Sequence, residues 1–352
     1  MVKLKNMLNR FITKVLITFI LFCSAFVTSI EAVTFKIASY NVENLFDLKK
    51  DGTEYSTYIP DSPSGWNRMM LDKKTSNLAR VIKGLNAEVV ALQEIESKKA
   101  LILLVKKLKS NAVNYPYYKI TTAKPTAVKC AIISKFPIIN KKEIEVDDDS
   151  ARNILKITLN IKGAPFIIFV NHWKSKRGPE SCRIKYAKAL KKEIDKLPDD
   201  SDFILTGDFN SGYNEYKTIK YSNRLNDTRG ITGINHILMT IKGSKMVNED
   251  FLIKQKGNEY LYNLWLELGK GKRWSYLFFG KKRSLDNMII SKGLYDNKGI
   301  SYVDNSFGRF SPEYLFYKKG IYRWQISKKG KGRHLGKGYS DHLPIFALFS
   351  TK

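Results

Sequence analysis

Six short runs of this 352-residue chain begin or end on side chains that can hold a cation, orient a water or move a proton. Residues 203–210, Phe-Ile-Leu-Thr-Gly-Asp-Phe-Asn, read as a buried strand that breaks at Gly207 and lifts Asp208 and Asn210 out of the apolar run. Two apart on an extended backbone, Asp208 and Asn210 project to the same side. That pairing suits an attacking water or a hard cation, although Gly-Asp-Phe-Asn by itself is equally a turn signature. The other runs repeat the pattern. Residues 35–41 end on Asn41, 89–94 on Glu94 and 166–172 on His172. Residues 285–291 open on Asp286, and Ser340, Asp341 and His342 precede a last apolar run. Of the four histidines in the chain, two stand at these positions.

The segments carrying these residues are Tyr-Asn-Val-Glu-Asn-Leu-Phe-Asp at 40–47, Leu-Gln-Glu-Ile-Glu at 92–96 and Asn-His-Trp-Lys-Ser-Lys at 171–176, followed by Gly-Asp-Phe-Asn at 207–210, Leu-Asp-Asn-Met-Ile-Ile-Ser at 285–291 and Ser-Asp-His-Leu-Pro at 340–344. In content and order the series resembles that of the endonuclease/exonuclease/phosphatase superfamily, the deoxyribonuclease I-like fold. The resemblance spans roughly residues 35–349, and the 171–176 segment most resembles the secreted bacterial nucleases. It implies an α/β four-layer sandwich of two face-to-face mixed β-sheets flanked by helices. Carried over residue by residue, it implies that Asn41, Glu94 and Asp341 hold a divalent ion, while Asp208 and Asn210 position the water and possible second ion. His342 would meet the scissile phosphate, oriented and kept protonated by Asp286. His172 resembles a second active-site histidine, which in that branch a carboxylate from a neighbouring strand supports. Here residues 124–129 read Lys-Pro-Thr-Ala-Val-Lys and offer no such partner.

The residue types fit phosphodiester hydrolysis on chemical grounds. That reaction needs an aligned water, stabilised charge on the equatorial oxygens and help for the departing alkoxide. Asn41, Glu94, Asp208, Asn210 and Asp341 are oxygen donors, the set preferred by Mg²⁺ or Mn²⁺, with Ca²⁺ as a further candidate. A cation there would bind a phosphate oxygen and the leaving oxygen. A His–Asp pair raises the imidazole pKa and fixes its tautomer. Asp341 and His342 are adjacent, so an extended backbone would send them opposite ways and a local turn is required.

Further basic residues flank these motifs. Arg152 precedes a strand, where family members often keep a phosphate-contacting arginine. Lys174, Lys176 and Arg177 follow His172 and could clamp neighbouring phosphates or simply be solvated. Residues 328–337, Lys-Lys-Gly-Lys-Gly-Arg-His-Leu-Gly-Lys, read as a flexible basic arm beside the Asp341-His342 motif, or as a loop without contacts. His236 and His334 carry no motif.

Helices and strands must position these groups. Residues 71–85, 98–109 and 182–197 have helical apolar spacing, and 130–134 and 154–161 read as strands. Residues 274–279, Trp-Ser-Tyr-Leu-Phe-Phe, read as a core strand turning at Gly280 into the Asp286 strand, with a membrane-inserting hairpin as the alternative that would favour a sphingomyelinase. The chain opens with Lys3, Lys5, Arg10 and Lys14, an apolar stretch over 15–27 and then small residues. This is the pattern of a secretory signal peptide over 1–32, too short for a comfortable membrane span. An uncleaved anchor is the alternative, and Phe22 before Cys23 excludes a lipoprotein signal. Residues 33–352 then form a single domain without linker or repeat, expected to be a monomer in the periplasm or medium. Cys130 and Cys182 are expected to be unpaired, with a disulfide as the alternative.

Removing residues 1–32, with four Lys/Arg and one Glu, lowers the formal charge of +28 to about +25, which favours polyanions. Together with the resemblance, these features imply an exported, metal-dependent nuclease acting on DNA, with RNA as a further candidate substrate, and leaving 5′-phosphate and 3′-hydroxyl ends. The rivals are a sphingomyelinase or inositol-phosphate phosphatase on the same fold, and a non-catalytic polyanion-binding module.

Overall fold

Neighbouring apolar residues along the central strands pack into different cores, and this decides the layering. The computed structural model describes residues 1, 7 and 32–352; the signal-peptide segment, apart from Met1, Met7 and Ala32, lies outside the described residues. Strands β1 (Thr34–Leu45), β2 (Val89–Ile95), β3 (Tyr117–Ile120) and β4 (Lys129–Ser134) belong to one sheet. Strands β5 (Ile138–Ile144), β6 (Ile154–Ile161), β7 (Ala164–His172) and β8 (Phe203–Asp208) belong to a second. Ile37, Ala91 and Ile132 share a core with Leu155, Ile168 and Ile204 of the facing sheet. Their neighbours Ala38, Val90 and Ile133 face the helices α1 (Arg68–Leu85) and α2 (Lys98–Ser110). Phe169, Phe203 and Leu205 face α3 (Glu180–Ile194). Strands buried on both faces carry continuous apolar runs rather than alternation. The result is the α/β sandwich the sequence implied, helix, sheet, sheet, helix, and Thr34–Lys352 forms one unit.

The later elements complete both sheets. Two small hairpin strands, β9 (Ile241–Lys242) and β10 (Lys245–Met246), precede β11 (Tyr262–Asn263); a second hairpin, β12 (Tyr276–Phe278) with β13 (Lys281–Arg283), precedes β14 (Asp286–Ile290). Then come β15 (Ile300–Tyr302), β16 (Gly308–Arg309), the hairpin β17 (Phe316–Tyr317) with β18 (Gly320–Ile321), and β19 (Ile345–Thr351). The first sheet runs β15-β19-β1-β2-β4-β3, with β16 also on β19, and the second runs β11-β14-β8-β7-β6-β5. Among the described residues each large sheet has one parallel pair, β1 with β2 and β7 with β8, and both pairs send their C-terminal ends toward the candidate site.

Helix starts follow their caps. The Asn67 side chain accepts from the Met70 amide, so α1 begins three residues before the apolar periodicity, and Ser97 caps α2 through the Ala100 amide. α3 starts and stops earlier than its spacing suggests. Pro179 directly precedes it, and Pro198 disfavours helix at Leu197. The aromatic segment before Asp286 differs more substantially: it does turn at Gly280, but β12 and β13 pair with each other outside the two large sheets, with a bridge from Tyr276 to His342, and Phe278 and Phe279 are 47% and 89% exposed. It is a surface hairpin, not a core strand. Cys130 and Cys182 are both free.

Candidate active site

Backbone register brings three of the expected side chains into one row. His172 lies opposite Asp208 across the parallel β7–β8 pair, and Asp286 lies opposite Asp208 across the antiparallel β8–β14 pair. The facing sheet supplies Asn41 and Glu94 from the ends of β1 and β2, where bulges interrupt the ladder between Asn41 and Leu45 and between Leu92 and Ile95. Glu43, Asn44, Glu94 and Asn210 all have positive φ, between 48° and 66°. Left-handed non-glycine residues cluster where surrounding structure over-determines them, typically at functional sites. Gly207 has φ +128°, and a Cβ there would meet the Asn171 carbonyl oxygen at 2.1 Å. No other residue type allows β8 to approach β7 so closely at this point.

Asp208 is buried and held from several sides. Its Oδ1 accepts from the Asn210 amide at 2.8 Å, and its Oδ2 accepts from the Asn41 and Asn210 side-chain amides at 3.1 and 3.2 Å. Burial, tempered by His342 and reinforced by Asp286, pushes its carboxyl up to about 7. Glu94 accepts from the other Asn41 amide hydrogen at 3.1 Å and is likewise raised by burial and by Asp341. Asn41 Oδ1 is engaged by the Glu43 amide at 3.0 Å. Asn41 therefore spaces two carboxylates through its NH₂ group, a different place from the oxygen ligand implied by the resemblance.

The paired histidine is assembled as expected. His342 Nδ1 meets Asp286 Oδ2 at 2.7 Å, and its Nε2 lies 3.9 Å from both Asp208 Oδ2 and Asp341 Oδ1. Burial alone would lower this imidazole, but Asp286, Asp208 and Asp341 outweigh it and hold the pKa well above the ordinary value. The required turn is made by Ser340, whose hydroxyl donates to the Asn41 carbonyl at 2.6 Å and accepts from the His342 amide at 3.1 Å. His172 has the opposite character. Burial, then the charges of Arg152 and His342, hold it well below the usual range. Its Nε2 lies 3.7 Å from Glu94 and 3.8 Å from Asp208, while Nδ1 is buried with no hydrogen-bond partner among the described residues.

Three flanking expectations change. Arg152 donates to the His172 and Trp173 carbonyls at 3.1 and 2.8 Å, so it braces the end of β7. Lys176 is bound to Glu215 at 2.6 Å, leaving Arg177 exposed and Lys174 partly exposed. The 328–337 segment is anchored through buried His334, which accepts from Trp324 Nε1 at 2.8 Å, bonds the Thr57 carbonyl at 2.7 Å and packs on Tyr58 and Trp66. The His236 ring accepts from the Thr232 amide at 2.9 Å, away from the candidate site residues.

Other participants carried no sequence motif. Ser275 donates to Asp286 Oδ2 at 2.5 Å, and the Tyr276 ring lies 4.7 Å from the His342 ring. Arg323 forms an ion pair with Glu43 and lies 3.5 Å from Asp341 Oδ2. Its charge lowers the Glu43 carboxyl against the dominant effect of burial, which still leaves that group at about 7. No spacing rule connects residues 43 and 323; only the fold brings them together.

The donor set fits a hard divalent cation. Glu94, Asp208 and Asp341 are neighbouring oxygen donors, and burial, with the repulsion of nearby carboxylates, raises Glu94 and Asp208, which a divalent cation would offset. Among the described residues, the tighter acidic triads Asp51/Glu54/Glu96 and Glu249/Glu267/Asp304 are made of other residues.

The sequence profile of the Endonuclease/Exonuclease/phosphatase family matches residues 36–248 and 242–351. No curated protein sequence matches the chain. Among solved structures, ANGEL2, described as a 2′,3′-cyclic phosphatase, aligns with TM-score 0.55 and 18% identity over 91% of this chain and 96% of its own. D. rerio TDP2, solved with a single-strand DNA product, aligns with TM-score 0.53 and 16% identity over 90% and 99%. An endonuclease/exonuclease/phosphatase family protein from Bacteroides thetaiotaomicron aligns with TM-score 0.51 and 14% identity over 92% and 96%. At these identities the likeness is one of fold.

Proposed function

The chain belongs to the endonuclease/exonuclease/phosphatase family, and from that membership we propose that it is a Mg²⁺- or Mn²⁺-dependent phosphodiesterase, a nuclease cutting DNA or RNA. The observation that carries the reading is the buried Asp286–His342 pair, with His342 Nε2 3.9 Å from Asp208 Oδ2. A protonated imidazole fixed by a carboxylate is a donor to a phosphate oxygen, and a second carboxylate beside it is placed to orient a water. Asp208, gripped by Asn41 and Asn210, takes the water-orienting role. Neutral His172 is available to hydrogen-bond a phosphate or leaving oxygen. Glu94 and Asp341 would hold the ion, with Asp208 near them; when bound, it supplies charge neutralisation at the phosphate and the leaving oxygen. Arg323, beside Asp341, orients that carboxylate. The basic head and apolar run of residues 1–32 support export, and the basic composition supports a nucleic-acid substrate.

The test is hydrolysis of plasmid DNA, RNA, sphingomyelin and a small aryl phosphodiester by the purified protein. Activity on the nucleic acids is expected to vanish with excess EDTA and to return with Mg²⁺ or Mn²⁺. Full activity in chelator, or turnover of sphingomyelin alone, refutes the reading.

A further inference from the structure

Beside the candidate site runs a cleft that the chemistry above does not use. A cavity of about 460 Å³ is lined by Asn210 and Tyr276 at the site end and by Phe278, Arg177, Arg224 and Arg283 farther along. It continues into a cavity of about 620 Å³ that shares Arg283 and adds Lys281 and Lys282. Glu215 is the one carboxylate among the lining residues of both, and Lys176 already neutralises it. Arg177 and Arg283 make no ion pair among the described residues. Such a surface calls for more than one phosphate.

The aromatic wall is ordered. Tyr276 and Phe278, alternate residues of β12, stack within 15° of parallel at 6.3 Å, and Phe279 meets Phe278 edge-on at 4.5 Å. Because Tyr276 also lies against His342, the rings form a continuous path from the candidate phosphate site to the exposed tip of the hairpin. Keeping two phenylalanine rings in water is unfavourable unless something covers them. A π-face beside unpaired arginines is the combination that binds an unpaired base and its backbone. A duplex buries its base faces internally and gives these rings nothing to stack on. A bilayer could take up Phe279 at the tip but could not enter the concave wall that holds Tyr276 and Phe278.

Resting on the phosphodiesterase reading, we propose that the β12–β13 hairpin and this cleft form a single-strand docking site. One or two unpaired bases stack on Phe278 and Phe279, while Arg177 and Arg283 take the neighbouring phosphates. The preferred substrate is then a single strand or an unpaired end.

The experiment measures binding separately from turnover. Fluorescence anisotropy with a labelled oligothymidylate, in EDTA to block cleavage, is compared with a duplex of equal length and with co-sedimentation on sphingomyelin/phosphatidylcholine vesicles. The wild type is expected to prefer the single strand. Phe278→Leu/Phe279→Leu keeps the apolar surface but removes stacking, and should weaken oligothymidylate binding by roughly 5- to 100-fold. Phe278→Trp/Phe279→Trp should restore it, which shows that the loss is not one of folding. Unchanged oligonucleotide affinity in the leucine variant overturns the inference, as does vesicle binding by wild type and leucine variant alike without oligonucleotide preference. If no phosphodiester is hydrolysed while the stacking signature stands, the catalytic reading fails and the docking site survives as a binding surface.

Discussion

His342 and Asp286 are a pair whose charges depend on each other. Asp286→Asn keeps the shape but removes the anion that overcomes burial of the imidazole, so less imidazolium is available to the phosphate. Ser275 still finds an acceptor at position 286, and the fold should survive. Each single variant, Asp286→Asn and His342→Ala, is expected to lose roughly 10²- to 10⁴-fold in kcat. The double variant should be little worse than His342→Ala, since residues acting as one unit are not additive. Multiplicative losses with unchanged thermal midpoints would show separate roles. At the same scale, Asn41 shows what residue type alone leaves open. An asparagine offers an oxygen or an NH₂ group, and only the Glu43 amide on Oδ1 fixes which one faces the carboxylates.

At the scale of elements, strands were legible because their apolar runs stop abruptly at glycine or polar residues, and that is also where the site lies. The row His172, Asp208, Asp286 was foreshadowed by three similar strand ends, but its alignment rests on the β7–β8–β14 register, a non-local pairing. The β12–β13 hairpin misled for a physical reason: Tyr-Leu-Phe-Phe has the composition of a buried strand, and nothing local says that its tip is exposed. The 328–337 segment misled in the other direction. Its lysines and glycines read as mobile, while His334 bonds to Trp324 ten residues before it and to Thr57, which is far away in sequence. One inter-element tie gives a pH prediction. Glu143 of β5, an edge strand of the second sheet, accepts from the Thr122 and Ala123 amides at 2.7 and 3.0 Å just beyond β3, an edge of the first sheet, and from Lys141 at 2.8 Å. Burial opposes ionisation, yet these donors hold its carboxyl down to about 2. A depressed folded pKa means that stability is present above the unfolded value near 4.5 and is lost as pH falls toward about 2. Glu143→Gln should cost roughly 2 kcal/mol at neutral pH, and the difference from wild type should shrink through that window in urea titrations. A difference constant from pH 7 to pH 2 would show that Glu143 does not link the sheets electrostatically.

For the whole molecule, the formal charge of +28 says that the protein will meet polyanions, not where. Beyond a screening length of about 10 Å at 0.1 M salt, a lysine on a remote face contributes little to a bound strand. What counts is the number of phosphates neutralised, and this is measurable. The logarithm of affinity should fall linearly with the logarithm of salt, with a slope near 0.7 per phosphate for a single strand and 0.9 for a duplex. Lys328, Lys329, Lys331 and Arg333 make no ion pair among the described residues, and their segment is held beside Asp341 through Gly338, whose positive φ of +84° brings it against the Arg323 carbonyl. Replacing all four with glutamine should therefore lower the single-strand slope by up to about 3 while leaving the thermal midpoint in place, because His334 and not the cations anchors the segment. A slope identical to wild type would confine the strand to the hairpin side of the site and reduce the segment to a bracket around Arg323. A smaller slope would mean that the strand crosses the candidate phosphate site from the aromatic cleft to the basic segment, with His342 lying between two grips.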